Sequence, residues 1–313
     1  MSSQLKKKLR LIFMGTPAFA LPSLQALASH QDFELVAVFT QPDRPAGRGQ
    51  ALSFSPVKQL ALELNLPIYQ PLKLTDSSQL IADLKPDLIV VVAYGLIIPP
   101  DILAIPPQGC LNVHASLLPK YRGAACLSAP LLNGDQTTGV TIMLMDKGLD
   151  TGPILRQAEV PLSDHETTPS LHDKLSLLGA KLLPETILDW VQKKIEPQNQ
   201  TNSLSSYVGM IKKRDGLIDW QKPALMIERE IRAYQGWPSS YSYYQGQLIK
   251  ILAVDKKPIN LNNYKAGQLF SHQQQLAVQT GSQALMITKL QLAGKRALTG
   301  QEFLRGYQLA ILT

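Results

Sequence analysis

A continuous apolar run at residues 88–93 constrains the fold of this chain more than any other feature. A strand whose residues are all apolar must be covered on both faces, as parallel strands in α/β proteins are. Strand and helix patterns alternate around this run through the first two thirds of the chain. The predicted elements are strands at 9–14, 33–40, 88–93 and 140–145, and helices at 18–29, 55–64 and 171–194. The sequence therefore predicts an α/β fold with an open, mostly parallel sheet covered by helices on both faces.

The last third of the chain has a different pattern. The helix at 171–194 contains Pro184, which predicts a kink or a break, and the polar stretch 196–203 follows it. After a helical segment at 223–234, short strand-like runs recur at 240–244, 248–254, 275–279 and 284–292. Short strands separated by turns are typical of a small antiparallel barrel. We therefore expect a catalytic domain at 1–195, a linker at 196–207 and a basic, OB-type barrel domain at 208–313.

The positive charge of the chain lies in the second predicted domain. Residues 1–207 carry 17 Lys and Arg against 18 Asp and Glu, whereas residues 208–313 carry 14 against 6, a net charge of +8. A basic domain beside a neutral one favours a polyanionic partner, most simply nucleic acid, although a solvated basic surface has the same composition. The candidate phosphate contacts rest on charge alone, and they are Lys212, Lys213, Arg214, Lys295 and Arg296.

Several classes of protein do not fit the sequence. The two cysteines, Cys110 and Cys126, give neither a disulfide framework nor a Cys/His metal site, so we expect no metal. The turn that follows the first predicted strand lacks the G-x-G-x-x-G pattern, so we expect no dinucleotide. The apolar run near the start is too short for a signal peptide, and no stretch is long enough to span a bilayer. We expect a cytoplasmic monomer.

Asn112 and His114 stand two positions apart where a strand is predicted to end. The alternation of a strand sends both side chains to one face. An amide beside an imidazole can hold a carbonyl oxygen and stabilise its negative charge, and Asp150 can orient or charge the imidazole as a third catalytic residue. A core histidine and an aspartate that caps a turn are the simpler alternatives for His114 and Asp150. Together the three candidate catalytic residues favour acyl-type transfer over redox chemistry.

Motifs along nearly the whole chain resemble those of the methionyl-tRNA formyltransferases. They are FMGTP at 13–17, FTQPDRPAGRG at 39–49, VVAYG at 91–95, NVHASLLP at 112–119, GLDTG at 148–152, IDW at 218–220, IRAY at 231–234 and WP at 237–238. The Asn-x-His pair with its distant aspartate is shared by folate-dependent formyltransferases generally, so it specifies the reaction. The arginine-containing loop at 41–49 and the second domain specify the substrate.

The resemblance implies a Rossmann-like, folate-binding domain followed by an OB-type barrel that helps to grip tRNA. It also implies roles for loop residues. Arg44 and Arg48 would enter the acceptor-stem region of the tRNA, and a pair of arginines in a loop suits phosphate or sugar contacts, although a solvated loop is the default. The candidate folate-binding residues are Ser116, Leu117, Leu118 and Pro119 in one turn, and Tyr94, Gly95, Leu96 and Ile97 along the pterin pocket. The chain departs from the family pattern at 126–129, where CLSA stands in place of PIQR.

The reaction implied is transfer of the formyl group of 10-formyltetrahydrofolate, a co-substrate, to the α-amino group of initiator methionyl-tRNA. Asn112 would donate a hydrogen bond to the formyl oxygen, and His114 would donate a second one as an imidazolium. Asp150 would favour the charged imidazole and accept the proton that the amine loses.

Two alternatives remain. One is a folate-dependent formyltransferase that acts on a small amine, such as an amino sugar nucleotide or glycinamide ribonucleotide. The basic second domain and the arginine loop argue against it, because a small substrate needs neither. The other is an RNA-binding protein with an inactive formyltransferase fold, and the intact Asn112, His114 and Asp150 argue against that.

Overall fold

The computed structural model describes residues 7–46 and 51–313. The chain divides into two compact units. The first unit comprises the residues up to Cys126, together with Thr138–Val160 and His172–Tyr207; the second comprises Leu127–Thr137, Pro161–Leu171 and Val208–Thr313. The domain limits drawn from the sequence, with a linker at 196–207, remain a prediction.

A seven-stranded sheet organises the N-terminal two thirds of the chain. The strands of this region are β1 Leu9–Gly15, β2 Phe33–Phe39, β3 Arg44–Ala46, β4 Ala51–Ser53, β5 Ile68–Tyr69, β6 Leu88–Val92, β7 Cys110–His114, β8 Arg122–Gly123, β9 Thr137–Leu144 and β10 Ile154–Pro161. The order across the sheet is β10-β9-β7-β6-β1-β2-β5, while β3 and β4 form a separate antiparallel pair. The strands from β7 to β5 run parallel to one another, and β9 runs antiparallel to β7. The predicted mostly parallel sheet is confirmed.

The apolar run that predicted this sheet forms a central strand. Every residue of β6 is buried, and β6 lies between β1 and β7 in the sheet. The helices of this region are α1 Leu21–Ala28, α2 Pro56–Glu63, α3 Ser78–Asp83, α4 Pro100–Leu103, α5 Ala129–Asn133 and α6 Thr168–Val191. Helix α2 begins as its sequence predicts, because the Ser55 hydroxyl accepts the Lys58 N–H at 3.0 Å and Pro56 occupies the first helical position.

Helix α6 runs without interruption through Pro184, so the predicted break is absent. Proline removes one main-chain donor from a helix of 24 residues. The apolar face on both sides of it remains packed, since Leu175, Leu183 and Ile187 are fully buried. Burial along this face outweighs the loss of one hydrogen bond.

The second unit is built on an antiparallel sheet. The remaining elements of the chain are the strands β11 Tyr207–Val208, β12 Tyr241–Tyr244, β13 Gln247–Val254, β14 Leu269–His272, β15 Gln275–Gln279, β16 Ala284–Leu292 and β17 Leu298–Thr299, and the helices α7 Ala224–Ala233 and α8 Gly300–Gly306. The order β12-β13-β16-β15-β14 is antiparallel throughout, with β17 beside β16. The tight turn between β12 and β13 is made by Gln245 and Gly246, both with positive φ.

The C-terminal segment connects the two edges of this sheet. The main chain of Thr313 exchanges hydrogen bonds with Tyr243 of β12 at 2.8 and 3.0 Å. On its other side, Leu312 donates to Gly267 at 2.8 Å and Leu269 of β14 donates to Ala310 at 2.9 Å. The sheet therefore curls into the small barrel that the sequence predicts, and the predicted fold class is confirmed.

Neither of the two units contains a helix among the described residues that is long and apolar enough to cross a membrane.

Candidate active site

Asn112 and His114 lie on one face of β7, at its carboxyl end. Their alternation with the buried Val113 gives them a common side of the strand. Asn112 pairs in register with Val91 of β6, and His114 with Thr141 of β9, so β7 is an interior strand. In open α/β sheets the crevice beyond the carboxyl ends of the parallel strands is where ligands bind.

Asp150 joins these two side chains from the loop between β9 and β10. Its Oδ1 accepts a hydrogen bond from Asn112 Nδ2 at 3.4 Å and lies 3.7 Å from His114 Nδ1. Its Oδ2 accepts the main-chain N–H of Gly123 at 2.8 Å. Asp150 has a φ of 55°, in the left-handed region. The structure thus brings the three candidate catalytic residues together, with the side chains of Asn112 and His114 both next to the Asp150 carboxylate.

The protonation of His114 follows from its surroundings. Its Nε2 lies 3.0 Å from the carbonyl oxygen of Tyr121, and because a carbonyl only accepts, Nε2 carries the proton. Burial lowers the pKa of His114 below its ordinary value and outweighs the Asp150 carboxylate and the Tyr121 carbonyl, which act in the opposite direction. Burial thus favours the neutral ring, and in that form the Nδ1 lone pair faces Asp150. The imidazolium donor that the resemblance implies remains a prediction.

Polar groups from three other strand ends meet beside β7. The hydroxyl of Thr16, after β1, donates to the carbonyl of Tyr94, after β6, at 2.8 Å. The side-chain amide of Gln41, after β2, donates to the same carbonyl at 3.1 Å. Gly95 has a φ of 82°, and a Cβ there would lie 2.4 Å from Gln41 Nε2, so this position requires glycine.

The predicted pterin-pocket residues 94–97 divide between core and surface. Tyr94 is 1% exposed, and in the described part of the chain its hydroxyl has no hydrogen-bond partner. Burial raises the pKa of Tyr94 to about 12. Leu96 is half-buried and packs against the same core, whereas Ile97 is 93% exposed. A ligand at this edge would therefore meet the main chain of 94–97 and the Ile97 side chain rather than the Tyr94 hydroxyl.

The conformation of the predicted folate-contacting turn at 116–119 is fixed by hydrogen bonds to neighbouring residues. The Ser116 hydroxyl donates to the Lys120 carbonyl at 2.7 Å, so it shapes the turn. The buried Thr141 hydroxyl donates to the Ser116 carbonyl at 2.6 Å and accepts the Leu118 N–H at 3.0 Å. Gln157 adds a bond to the Leu118 carbonyl at 2.8 Å. Leu117 and Pro119 are half-buried. The turn is thus fixed by Thr141 and Gln157, which the sequence analysis missed.

Comparison with known proteins gives consistent matches over nearly the whole chain. A formyl transferase family model matches residues 7–187, and a model of the formyl transferase C-terminal domain matches residues 210–308. A protein of Trichlorobacter lovleyi named methionyl-tRNA formyltransferase is 46% identical over 97% of this chain and 96% of its own. One of Geobacter sulfurreducens with the same name is 44% identical over 96% of this chain and 95% of its own. The chain belongs to the methionyl-tRNA formyltransferase family. The family predicted from the sequence motifs is confirmed.

Solved structures match this formyltransferase in fold. The N-formyltransferase of Helicobacter canadensis, solved with folinic acid and dTDP-3-aminofucose, is 21% identical, with a TM-score of 0.66 over 89% of this chain and 98% of that one. At this identity the likeness shows the fold alone. In the described residues of the chain, no group of three or more His, Cys, Asp or Glu side chains could hold a metal ion.

The arginine-containing loop of the formyltransferase is only partly described. Arg44 lies exposed on β3, and its guanidinium donates to the Gln41 side-chain carbonyl at 3.0 Å. Arg48 lies outside the described residues. Asp43 of the same loop pairs with Lys58 of α2 and accepts from Gln70 at 2.9 Å, and these contacts hold the pKa of Asp43 below its usual range.

The candidate phosphate contacts lie on the surface of the second unit in two groups. Lys212, Lys213 and Arg214 are exposed around the 3₁₀ turn Lys213–Gly216. Lys295 and Arg296 are exposed between β16 and β17, and Arg296 pairs with Glu302 at 2.9 Å. All five side chains are accessible to a polyanion, and their role remains a prediction.

Proposed function

We propose that this formyltransferase moves the formyl group of 10-formyltetrahydrofolate to the α-amino group of initiator methionyl-tRNA. The observation that carries the proposal is the convergence of Asn112, His114 and Asp150 at the carboxyl end of β7. An amide donor, a neutral imidazole and a carboxylate are the groups that amine attack on a formyl carbonyl needs.

Asn112 stabilises the negative charge that develops on the formyl oxygen. Its Nδ2 carries two hydrogens, of which one is directed to Asp150 at 3.4 Å, and the other is available to the oxyanion. One well-placed donor of this kind contributes about 3 to 4 kcal/mol to lowering the barrier.

His114 transfers a proton from the attacking amine to the leaving nitrogen. Since its Nε2 is bound to the Tyr121 carbonyl, Nδ1 is the atom that accepts the proton lost by the attacking amine. The imidazolium formed then lies beside the Asp150 carboxylate, 3.7 Å away, which stabilises it. The same proton passes from Nδ1 to the nitrogen that leaves the formyl carbon, so that His114 ends the cycle neutral.

The residues proposed to bind folate and tRNA lie outside the catalytic group of Asn112, His114 and Asp150. The main chain of 94–97 and the turn at 116–119 border the strand end and would hold the folate. The exposed residues Lys212, Lys213, Arg214, Lys295 and Arg296 would hold the tRNA, because exposed cations on a basic domain suit phosphate contacts. Arg44 and Arg48 of the arginine-containing loop would contact its acceptor-stem region, as the family resemblance implies. We further propose a cytoplasmic monomer.

The first test measures transfer of labelled formyl from 10-formyltetrahydrofolate to initiator methionyl-tRNA. A parallel reaction offers a small amine, and His114→Ala is the control. Transfer to the tRNA but not to the small amine, together with loss of transfer in His114→Ala, would support both methionyl-tRNA as the substrate and His114 as part of the active site. Transfer to the small amine but not to tRNA would overturn the proposed substrate and keep the chemistry. Binding of tRNA without transfer to either acceptor would favour a non-catalytic RNA-binding protein.

A further inference from the structure

A buried cation lies beside the candidate active site. Arg122 of β8 is 1% exposed. Its guanidinium donates to the Gln200 side-chain oxygen from Nε at 3.0 Å and from Nη2 at 2.8 Å, to Asn202 Oδ1 at 3.0 Å and to the Tyr207 hydroxyl at 2.9 Å. These acceptors are all neutral. A buried guanidinium needs good hydrogen bonds to compensate for its lost hydration, so this cluster holds its acceptors firmly.

Gln200 connects the cation to Asp150. While its oxygen faces Arg122, its Nε2 donates to the main-chain carbonyls of Asp150 at 2.9 Å and Gly152 at 2.7 Å. The orientation of the amide is unambiguous, because a flip would place its NH₂ against a guanidinium and its oxygen against two carbonyls. Arg122 therefore fixes the side chain of Gln200, and Gln200 fixes the turn that carries Asp150.

Asp150 needs this support because of its conformation. A residue other than glycine at a φ of 55° is held in the left-handed region only by its surroundings. Two segments supply the restraint. Gly123, adjacent to Arg122, binds the Asp150 carboxylate at 2.8 Å, and Gln200 binds the Asp150 carbonyl. A shift of the Asp150 turn would move the carboxylate away from Asn112 and His114.

We propose that Gln200, locked by Arg122, is a positioning residue of the formyl-transfer reaction. It acts through Asp150, whose carboxylate it aligns with His114 by holding the main chain of 150–152. The inference rests on the proposed function, since it assigns a task to Asp150 in that reaction.

The test compares two substitutions that make the same change beside Arg122. Gln200→Glu and Asn202→Asp each convert an amide acceptor of Arg122 to a carboxylate, so both keep the guanidinium bonded and add one negative charge. Only Gln200→Glu removes the donor to the Asp150 and Gly152 carbonyls. We expect Gln200→Glu to lower kcat by about tenfold to a hundredfold, the loss typical of a misplaced catalytic group, with the KM values for folate and tRNA changed little. Asn202→Asp should stay within about threefold of the starting kcat.

A double-mutant cycle separates positioning from general damage. If Gln200 acts through Asp150, Gln200→Glu should lower kcat by less than about threefold in an Asp150→Asn background. A full, additive loss in that background would overturn the inference, as would an unchanged kcat in the single variant or an equal loss in Asn202→Asp. Circular dichroism and tetrahydrofolate binding report whether each variant is folded. Absence of transfer by the unsubstituted enzyme would instead count against the proposed function.

Discussion

Asp150→Asn tests the assigned chemistry most directly, because it removes one charge and keeps the shape of the side chain. The His114 and Asp150 side chains are only 6% and 14% exposed, and their charged atoms lie 3.7 Å apart. At an effective dielectric constant of about 20, two unit charges at this separation attract by about 4 kcal/mol. This attraction exists only while His114 is protonated. In the proposed mechanism it therefore lowers the energy of the state in which Nδ1 has taken the amine proton.

The predicted magnitude follows from that number. If the transition state loses about 4 kcal/mol of stabilisation, kcat should fall roughly a thousandfold. Some of the loss is recovered by solvent and by the dipole of the new amide, so we expect a decrease of about a hundredfold to a thousandfold. Stability should fall only modestly, since the amide oxygen of the new side chain can accept the Gly123 N–H, while the long hydrogen bond from Asn112 Nδ2, at 3.4 Å, is lost.

Single-turnover transfer of labelled formyl to methionyl-tRNA measures this effect without interference from product release. The matched control is Asp146→Asn, in the same loop, whose carboxylate binds Thr151 at 2.7 Å and the Gly148 N–H at 2.9 Å. It should leave the rate of formyl transfer within about threefold if charge beside His114 is the cause. A loss below about tenfold in Asp150→Asn, with the protein folded, would refute a role for the Asp150 charge in catalysis.

Three further predictions concern substitutions at Asn112, His114 and Gly152, which all lie in the first unit. Asn112→Ala should lower the single-turnover rate by about a hundredfold or more, because it removes the proposed oxyanion donor; a fall in folate affinity alone would contradict this role. The folded-state pKa of His114 lies below its unfolded value, so the unfolded chain binds more protons between the two values and stability is lost as pH falls below about 6.5. His114→Gln should therefore show a smaller change in free energy of unfolding between about pH 7.5 and pH 5 in urea titrations, and an equal change would contradict the assignment. Gly152→Ala should destabilise by about 1 to 3 kcal/mol or more, since its Cβ would lie 1.9 Å from the Leu144 carbonyl oxygen, whereas Gly209→Ala, with open space around it, should be neutral by thermal unfolding.

Local periodicity predicted most of the long elements, although the eight-residue strand β10 was not among the predicted strands. Strands β15 and β16 begin and end at the predicted residues. Both are runs rich in apolar residues that are bounded by turn sequences, and the turns set their limits. The short strands β14 and β17 were missed, since runs of four and two residues carry almost no periodic signal. Helix α8 was also missed although its start is encoded: the Thr299 hydroxyl accepts the Glu302 N–H at 3.2 Å and Glu302 accepts the Thr299 N–H at 2.7 Å. This T-x-x-E capping box was the signal that could have found it.

The candidate site could be predicted where neighbours in the sequence are neighbours in space. Asn112 and His114 share a face through the two-residue repeat of β7. Gln200 lies in the stretch predicted as a linker, and its partner Arg122 is 78 residues away. No local pattern marks such a pair, because a buried arginine and a half-buried glutamine become informative only when the fold brings them together. The polar composition that predicted a linker at Gln200 hid a structural role.

The arrangement of charges around Asp150 explains why an uncharged side chain connects it to the buried cation. A direct Arg122–Asp150 ion pair would hold the carboxylate in two strong hydrogen bonds and weaken its attraction for a proton on His114. In the part of the chain that the structure describes, Arg122 instead binds neutral acceptors that include Gln200. Gln200 in turn donates to the main-chain carbonyls of Asp150 and Gly152 and not to the Asp150 carboxylate. The cation thus contributes rigidity to the turn, while the Asp150 carboxylate remains directed at Asn112 and His114. In the proposed mechanism the neutral His114 gains and loses a proton in each cycle, and a carboxylate that is fixed in place but not neutralised suits that reaction.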